Sequence, residues 1–383
     1  MWAGSALMRW DIFCRVVDNF GDMGVCWRLA NQLVNTHGRW TRLWVDDWIA
    51  LRQLLPDIPM EPAPCLVDGV EVFPWALAEQ VAEPGACVIE AFGCTLPDGY
   101  LTAMRAHDPA PAWINLEYLS AEAWIEDCHG LPSPDPGTGL AKYFFFPGFT
   151  EASGGLLREP ELLARRDAAR GREARPLWLA RHGVPGASTA SRWVSLFCYH
   201  NPALPGLLDA WQSEAVQTLL WVPAGIALRQ VGAHLGRELA VGQCLTYGSV
   251  QLRALPFLPM RDYDALLALC DVNFVRGEDS FVRAQWAARP LVWQAYPQAE
   301  AAHLDKVAAF LARYQGELPA ALAAAQQRLW QAWNDGGDAG AAWLALAPAL
   351  SALDAHAWQW CASLARQKDL AERLVNFIEG IVK

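Results

Sequence analysis

The sequence predicts an α/β protein of two halves, each a parallel sheet with crossover helices. Three observations carry that expectation. The chain has 383 residues, more than one hydrophobic core usually supports. Short β-branched or aromatic runs alternate with helical stretches over Asp11–Phe149, and the same alternation resumes at Arg192. Between the two series lies an arginine-rich stretch followed by "HGVPGAS", which reads as a charged helix and a linker.

In chain order, the first half offers the strand-like runs "DIFCRVV", "RLWVDD", "GVEVFPW", "ACVIEAFG", "AWINLEYL" and "KYFFFPGF". "LPSPDPGTG", Leu131–Gly139, is expected to be a loop, since its glycines and prolines punctuate the pattern. Residues 158–181 hold seven arginines, read as a solvated helix face or a binding surface. The second half runs through "RWVSLFCYHNP", "VQTLLWVPAG", "CLTYGSVQLRALPFL", "DVNFVRGEDS" and "RPLVWQAYPQ". After His303 the chain is alanine- and leucine-rich and helical. The expected organisation is a Rossmann-like domain over 1–180, a second over 181–360, and a terminal helix over 361–383 that crosses back to the first. The ligand cleft is expected between the halves.

Composition narrows the function. A net charge of −11 disfavours nucleic-acid backbones, which bind to basic surfaces. Apolar residues make up 53% of the chain with a mean hydropathy of +0.09, enough for large cores that should absorb most of the 20 tryptophans. No apolar run approaches the ~18 residues that span a bilayer, and "MWAGSALMRW" lacks the basic start and apolar segment of a leader. A soluble cytoplasmic protein is expected. Ten cysteines without a C-x-x-C pair read as buried thiols, and eight histidines without metal-ligand spacing leave no metal constellation. Carboxylates, hydroxyls, arginines and backbone dipoles must then carry any chemistry.

Two strand–turn–helix junctions stand out. "DNFGDMGVCW", Asp18–Trp27, places two carboxylates in a glycine-bearing turn where open α/β sheets bind ligands. Asp22, at the start of a helix, is expected to stay ionised because the helix dipole favours its charge. "VNFVRGEDSFVRAQWAARP", Val272–Pro290, ends a buried strand and opens a helix that Asp279 or Ser280 can cap. Free N–H groups there suit an anion, with Arg276 and Arg283 as added guanidinium contacts. Glu278 and Asp279 oppose a bare phosphate, but a carboxylate can accept hydroxyls from a sugar, which favours a nucleotide sugar. Phe197, Tyr199 and Phe257 at nearby strand ends either stack a base or fill core. Tyr296 and Gln298 either meet the donor or finish a strand. Glu117 and Tyr118 either line the path of an acceptor or pack a strand end on a loop.

Over "DIFCRVVDNFGDMGVCWRLA", "INLEYLSAEAWIEDCHGLPSP", "FFFPGFTEASGGLLRE", "SLFCYHNPAL" and "RGEDSFVRAQWAARPLVWQAYPQ" the chain resembles the EarP family, bacterial protein-arginine rhamnosyltransferases acting on elongation factor P. The resemblance implies a GT-B glycosyltransferase fold of two facing Rossmann-like domains. It implies dTDP-β-L-rhamnose as donor, no cofactor or metal, inversion at the anomeric carbon, and one arginine of elongation factor P as acceptor. That modification activates the factor for rescue of ribosomes stalled at polyproline. Carried onto this chain, Asp22 becomes the general base and Asp18 the group that holds the acceptor, with exchange of the two roles as the first alternative. Asn19, Glu117 and Tyr118 join the acceptor side. Arg276, Glu278, Asp279, Ser280, Phe197, Phe257, Tyr199 and Gln298 form the donor side. Met260 departs from the family, which commonly has glutamine after "PFLP". The competing expectations are a GT-B enzyme for another nucleotide sugar or acceptor, and a non-catalytic binder of elongation factor P.

Overall fold

The computed structural model describes residues 9–18, 20–171, 173–183, 191–298 and 301–382. The chain divides into two units, one running to Pro160 and taking up Arg366–Lys383, the other comprising Glu161–Ala365.

The first unit contains an eight-stranded sheet: β1 (Trp10–Cys14), β2 (Thr41–Val45), β3 (Cys65–Val67), β4 (Val70–Pro74), β5 (Cys87–Ala91), β6 (Ala112–Leu116), β7 (Pro132–Pro134) and β8 (Ala141–Phe145). Their order is β3-β4-β2-β1-β5-β6-β8-β7. Every residue of β1, β2, β5 and β6 is buried, as expected for parallel strands covered on both faces. Only the edges are antiparallel, β3 on β4 and β7 on β8. Strand β7 falls inside the stretch expected to be a loop. Its prolines lack a ladder donor, and an edge position tolerates that.

Phe13, Trp44, Val88, Tyr100, Met104 and Trp113 pack into one core cluster. Asp11 is buried in β1, and its charge is met from four directions: the Arg42 guanidinium, Trp44 Nε1 (3.1 Å), Gly85 N (2.6 Å) and the Tyr100 hydroxyl. The C-terminal helix Leu370–Ile381 belongs to this unit, burying Leu370, Leu374, Val375 and Ile378 at helical spacing. Asp369 caps it through Glu372 N and also accepts from Gln32 Nε2 at 2.8 Å.

The second unit holds β9 (Arg192–Leu196), β10 (Thr218–Pro223), β11 (Cys244–Tyr247), β12 (Val250–Leu255), β13 (Val272–Arg276) and β14 (Leu291–Gln294), ordered β11-β12-β10-β9-β13-β14. β11 is antiparallel to β12, and the other pairs are parallel. The border expected near residue 180 lies at Glu161 because helix Leu162–Ala169 packs against the helices Met260–Leu269 and Asp279–Ala287 of this unit and helix Ala174–Arg181 packs into the core of its sheet. Trp178 and Leu179 join Trp193, Trp221 and Leu255 in its core.

Two arginines of this segment, Arg170 and Arg175, serve neither expected purpose, whereas Arg181 is exposed and pairs with Asp262 at the surface. Arg175 donates to Leu269 O and to Asp271 while lying over Trp193. Arg170 reaches the carbonyls of Ala287 and Ala288, at the end of a helix whose C-cap, Ala288, is left-handed at φ 54°. They hold one helix layer together by pairing with its orphan carbonyls and acids.

Among the parallel strands of each sheet the order reverses at one point, between β1 and β5 in the first and between β9 and β13 in the second. Ligands of open α/β sheets bind beyond the carboxyl ends of strands at such switch points. The turn after β1 begins at Arg15, and the turn after β13 begins at Gly277.

Candidate active site

The acidic turn is built around Asp22. Helix Gly21–Asn35 follows β1 with Phe20 as an N-cap that makes no side-chain bond, so its start needs other partners. Asp22, in the first turn, points back instead: its Oδ2 accepts from Val17 N (2.8 Å) and Asp18 N (2.9 Å). Among the described residues no hydrogen bond reaches its other oxygen, Oδ1. Asp22 is 1% exposed and Asp18 7%. Burial pushes the Asp22 carboxyl above its ordinary value, the two backbone N–H bonds oppose the shift, and the charges of Asp18 and Asp46 reinforce it. Burial thus raises the proton affinity of Asp22, an effect that the expectation from its place at the helix start did not include.

Asp18 stands against Gly21, whose N–H donates to the Asp18 carbonyl at 2.7 Å. A Cβ at Gly21 would come within 2.8 Å of Asp18 Oδ2, so glycine is what lets this carboxylate lie on the helix start. Asn19 lies outside the described residues.

Glu117 and Tyr118 leave β6 side by side, both partly buried. Asn115 donates to Glu117 Oε1 at 2.6 Å and in turn accepts from Gly93 N. Tyr118 stacks on Phe92 with ring centroids 4.5 Å apart. Phe92 was not legible as a site residue. Its φ of 59° is unusual for a bulky side chain, held by its N–H to Leu116 O at 2.7 Å and by the ring stack. Its one signal in the sequence was its place after an apolar run and before a glycine.

In the second unit β13 and β9 are neighbours, and Phe197 N continues their ladder onto Phe274 O. That pairing brings Arg276 to Phe197 and Tyr199. The Arg276 guanidinium carbon lies 4.6 Å from the centre of the Phe197 ring and 4.3 Å from that of Tyr199. Tyr199 is fixed by its N–H to Gln294 Oε1 (2.9 Å), a contact that the sequence did not reveal, and Tyr296 packs edge-on against its ring.

Gly277 takes the left-handed conformation, φ 59°, that turns the chain into helix Asp279–Ala287. Glu278 is the N-cap and makes no side-chain cap bond, and Asp279 stands in the first turn. Ser280 does not cap the helix: its hydroxyl accepts from Arg276 N (3.0 Å) and donates to Arg276 O, which sets the end of β13. Arg283 is turned away from this end by a two-pronged ion pair with Asp264 (2.9 and 2.7 Å). Phe257 lies partly buried in the loop after β12, and Met260 opens the helix Met260–Leu269. Gln298 is exposed and gives its backbone N–H to His303 Nδ1, so it does not join the cluster.

Among the described residues no group of three or more His, Cys, Asp or Glu is placed to hold a metal ion, and no helix is long and apolar enough to cross a membrane.

Two Rossmann-like sheets in one chain, each with a polar junction at its switch point, define the class. The architecture is consistent with the GT-B fold, which glycosyltransferases share with nucleotide-sugar epimerases, and the comparisons with known proteins make this one a glycosyltransferase. A solved structure described as the structural basis for EarP-mediated arginine glycosylation of translation elongation factor EF-P is similar at a TM-score of 0.70 and 36% identity, covering 97% of this chain and 99% of that one. Residues 10–379 match the family described as "Elongation-Factor P (EF-P) rhamnosyltransferase EarP". A protein-arginine rhamnosyltransferase of Pseudomonas putida is 49% identical over 373 residues, 96% of this chain and 98% of its own length. Its counterpart in Pseudomonas aeruginosa is 48% identical over 374 residues, 97% of this chain and 99% of its own length. The chain belongs to the EarP family of EF-P rhamnosyltransferases.

Proposed function

We propose that this enzyme moves L-rhamnose from dTDP-β-L-rhamnose to one arginine of EF-P with inversion, using the first unit for the acceptor and the second for the donor. The observation that carries the reading is Asp22, a buried carboxylate with raised proton affinity whose orientation is fixed by two backbone N–H groups. A guanidinium holds its proton to a pKa above about 12 and is a poor nucleophile. A carboxylate beside it stabilises the cation as an ion pair, and a second, more basic one takes the proton as the N–C bond forms. Asp22 fits the second role and Asp18 the first.

The donor passes through an oxocarbenium-like state, with a base on the face opposite the leaving group. The leaving diphosphate gathers negative charge. Arg276 and the N–H groups at the start of helix Asp279–Ala287 supply the balancing positive field. Phe197, Tyr199 and Phe257 supply aromatic surface for the base beside Arg276, which already rests on the first two rings, and Glu278 accepts donor hydroxyls.

Incubating the protein with EF-P and dTDP-β-L-rhamnose and weighing the acceptor tests this. One deoxyhexose added on an arginine is expected; an unchanged mass with folded enzyme rejects the reading. Uptake of sugar from a UDP donor would favour the GT-B alternative. A non-catalytic binder would retain EF-P and show no turnover.

A further inference from the structure

We propose that a cavity among three helices of the second unit, ringed by Arg165, Arg166, Arg261 and Arg283, binds the phosphate group of a small ligand. The cavity has a volume of about 80 Å³, several times what one water needs. It lies among helices Leu162–Ala169, Met260–Leu269 and Asp279–Ala287, and it shares no residue with the donor cluster around Arg276. Arg170 and Arg175 bind carbonyls and acids of their own helix layer, whereas Arg165 and Arg166, from the same arginine-rich stretch, line this cavity.

The charges around the cavity are poorly balanced from within. Among the described residues Asp264 is the one acid of the lining, and Arg283 takes both of its oxygens, at 2.9 and 2.7 Å. Arg165 pairs loosely with Glu161 at 3.6 Å and Arg166 with Asp167, but both acids are exposed and stand outside the lining. Nη1 of Arg166 donates to the Cys361 thiol at 3.1 Å, and a thiol is a weak acceptor. Arg261 is exposed and has no ion-pair partner among the described residues. Guanidiniums stay charged at any physiological pH, so four of them around one void repel until an anion joins them.

The chemistry selects the anion. The guanidiniums reach the cavity from three helices, so their donors surround whatever occupies it. A tetrahedral phosphate can accept on every side, whereas a planar carboxylate is filled by one or two forks. The net charge of −11 disfavours a nucleic-acid backbone, and the cavity is an isolated recess that suits one phosphate group. Leu162, Ala265 and Trp286 form an apolar wall beside the guanidiniums. The ligand is therefore inorganic phosphate or a monoester whose apolar body rests on that wall.

Inorganic phosphate and phenyl phosphate, titrated by calorimetry into enzyme saturated with dTDP to fill the site around Arg276, test the proposal at an ionic strength held constant with chloride. Saturable binding is expected. Phenyl phosphate binds more tightly if the ligand is a monoester, and inorganic phosphate binds at least as tightly if it is the free ion. In the double variant Arg165→Gln, Arg261→Gln the affinity should fall about tenfold or more, for two lost charge-assisted partners. Its dTDP affinity, and its Tm without phosphate, should stay at wild-type values. Arg328→Gln, exposed on helix Ala320–Asp335, should bind phosphate as the wild type does. Absence of saturable binding of either probe overturns the site. So does an unchanged affinity in the double variant, an equal loss in Arg328→Gln, or a loss accompanied by a lowered Tm.

Discussion

The turn around Asp18 and Asp22 and the turn around Arg276 and Ser280 occupy equivalent places in two similar sheets, yet the first has only acids where the second sets Arg276 beside Glu278 and Asp279. Each follows a fully buried parallel strand at its sheet's switch point, and each opens a helix whose N-cap makes no side-chain bond. In the first, a carboxylate folds back and satisfies the N–H groups of the incoming chain. In the second, a hydroxyl does the equivalent work for Arg276 and adds no charge. The same fold position is thus stitched by a carboxylate in one unit and by a neutral hydroxyl in the other, which on the roles proposed above suits a cationic acceptor at the first and an anionic donor at the second.

The largest effect should come from erasing that difference. Asp22→Asn keeps an acceptor for both backbone N–H groups and removes the base. Turnover should fall about 10²- to 10⁴-fold, with dTDP affinity by calorimetry unchanged. Its stability should move the other way. A carboxyl whose pKa is raised in the folded state costs stability when ionised, and that cost is relieved as pH falls through its folded pKa. At neutral pH the Asn variant should therefore melt at or above the wild-type temperature. In the wild type, the acid limb of kcat/KM should lie above the ordinary carboxylate value of about 4. A limb at or below that value would show that Asp22 is not the titrating base.

On the second side, Arg276→Ala should weaken dTDP binding about ten- to a hundredfold, the loss expected for charge-assisted bonds to phosphate. Unchanged affinity would remove Arg276 from the donor site. Gly21→Ala should cost about tenfold in turnover, short of the roughly hundredfold that a full 1 Å misplacement can cost. Its Cβ displaces the Asp18 carboxylate while the helix persists, and full activity would mean that Asp18 need not lie where it does. The smallest change should be Ser280→Ala, which frees the end of β13 and weakens donor affinity a few-fold, about 1 kcal/mol for a lost hydrogen bond. If Ser280→Ala instead matched Arg276→Ala, the hydroxyl would be touching donor directly.

Most parallel strands were legible because continuous burial leaves an apolar run in the sequence, as in "DIFCRVV" and "VNFVR". Strand β7 was not, since a proline-rich edge carries the residues of a loop. The expected border at 180 missed because arginines 170 and 175 look like a solvated face until their carbonyl and carboxylate partners, far along the chain, are known. Among site residues, Asp22 was legible by type and by its place at a helix start. Its raised proton affinity was not, because burial is a property of the assembled sheet. Phe92 and Gln294 carry no distinctive spacing and gain their roles from neighbours on adjoining strands.

By itself the sequence determined the alternation of strands and helices, the two polar junctions and the chemical groups at each. Those follow from local periodicity and from residue type. Only the tertiary structure decided the strand order that puts both junctions at switch points, the ring faces against which Arg276 rests, and the burial that makes Asp22 basic. Pairings and desolvation depend on residues brought together from distant parts of the chain, and no short stretch of sequence encodes them.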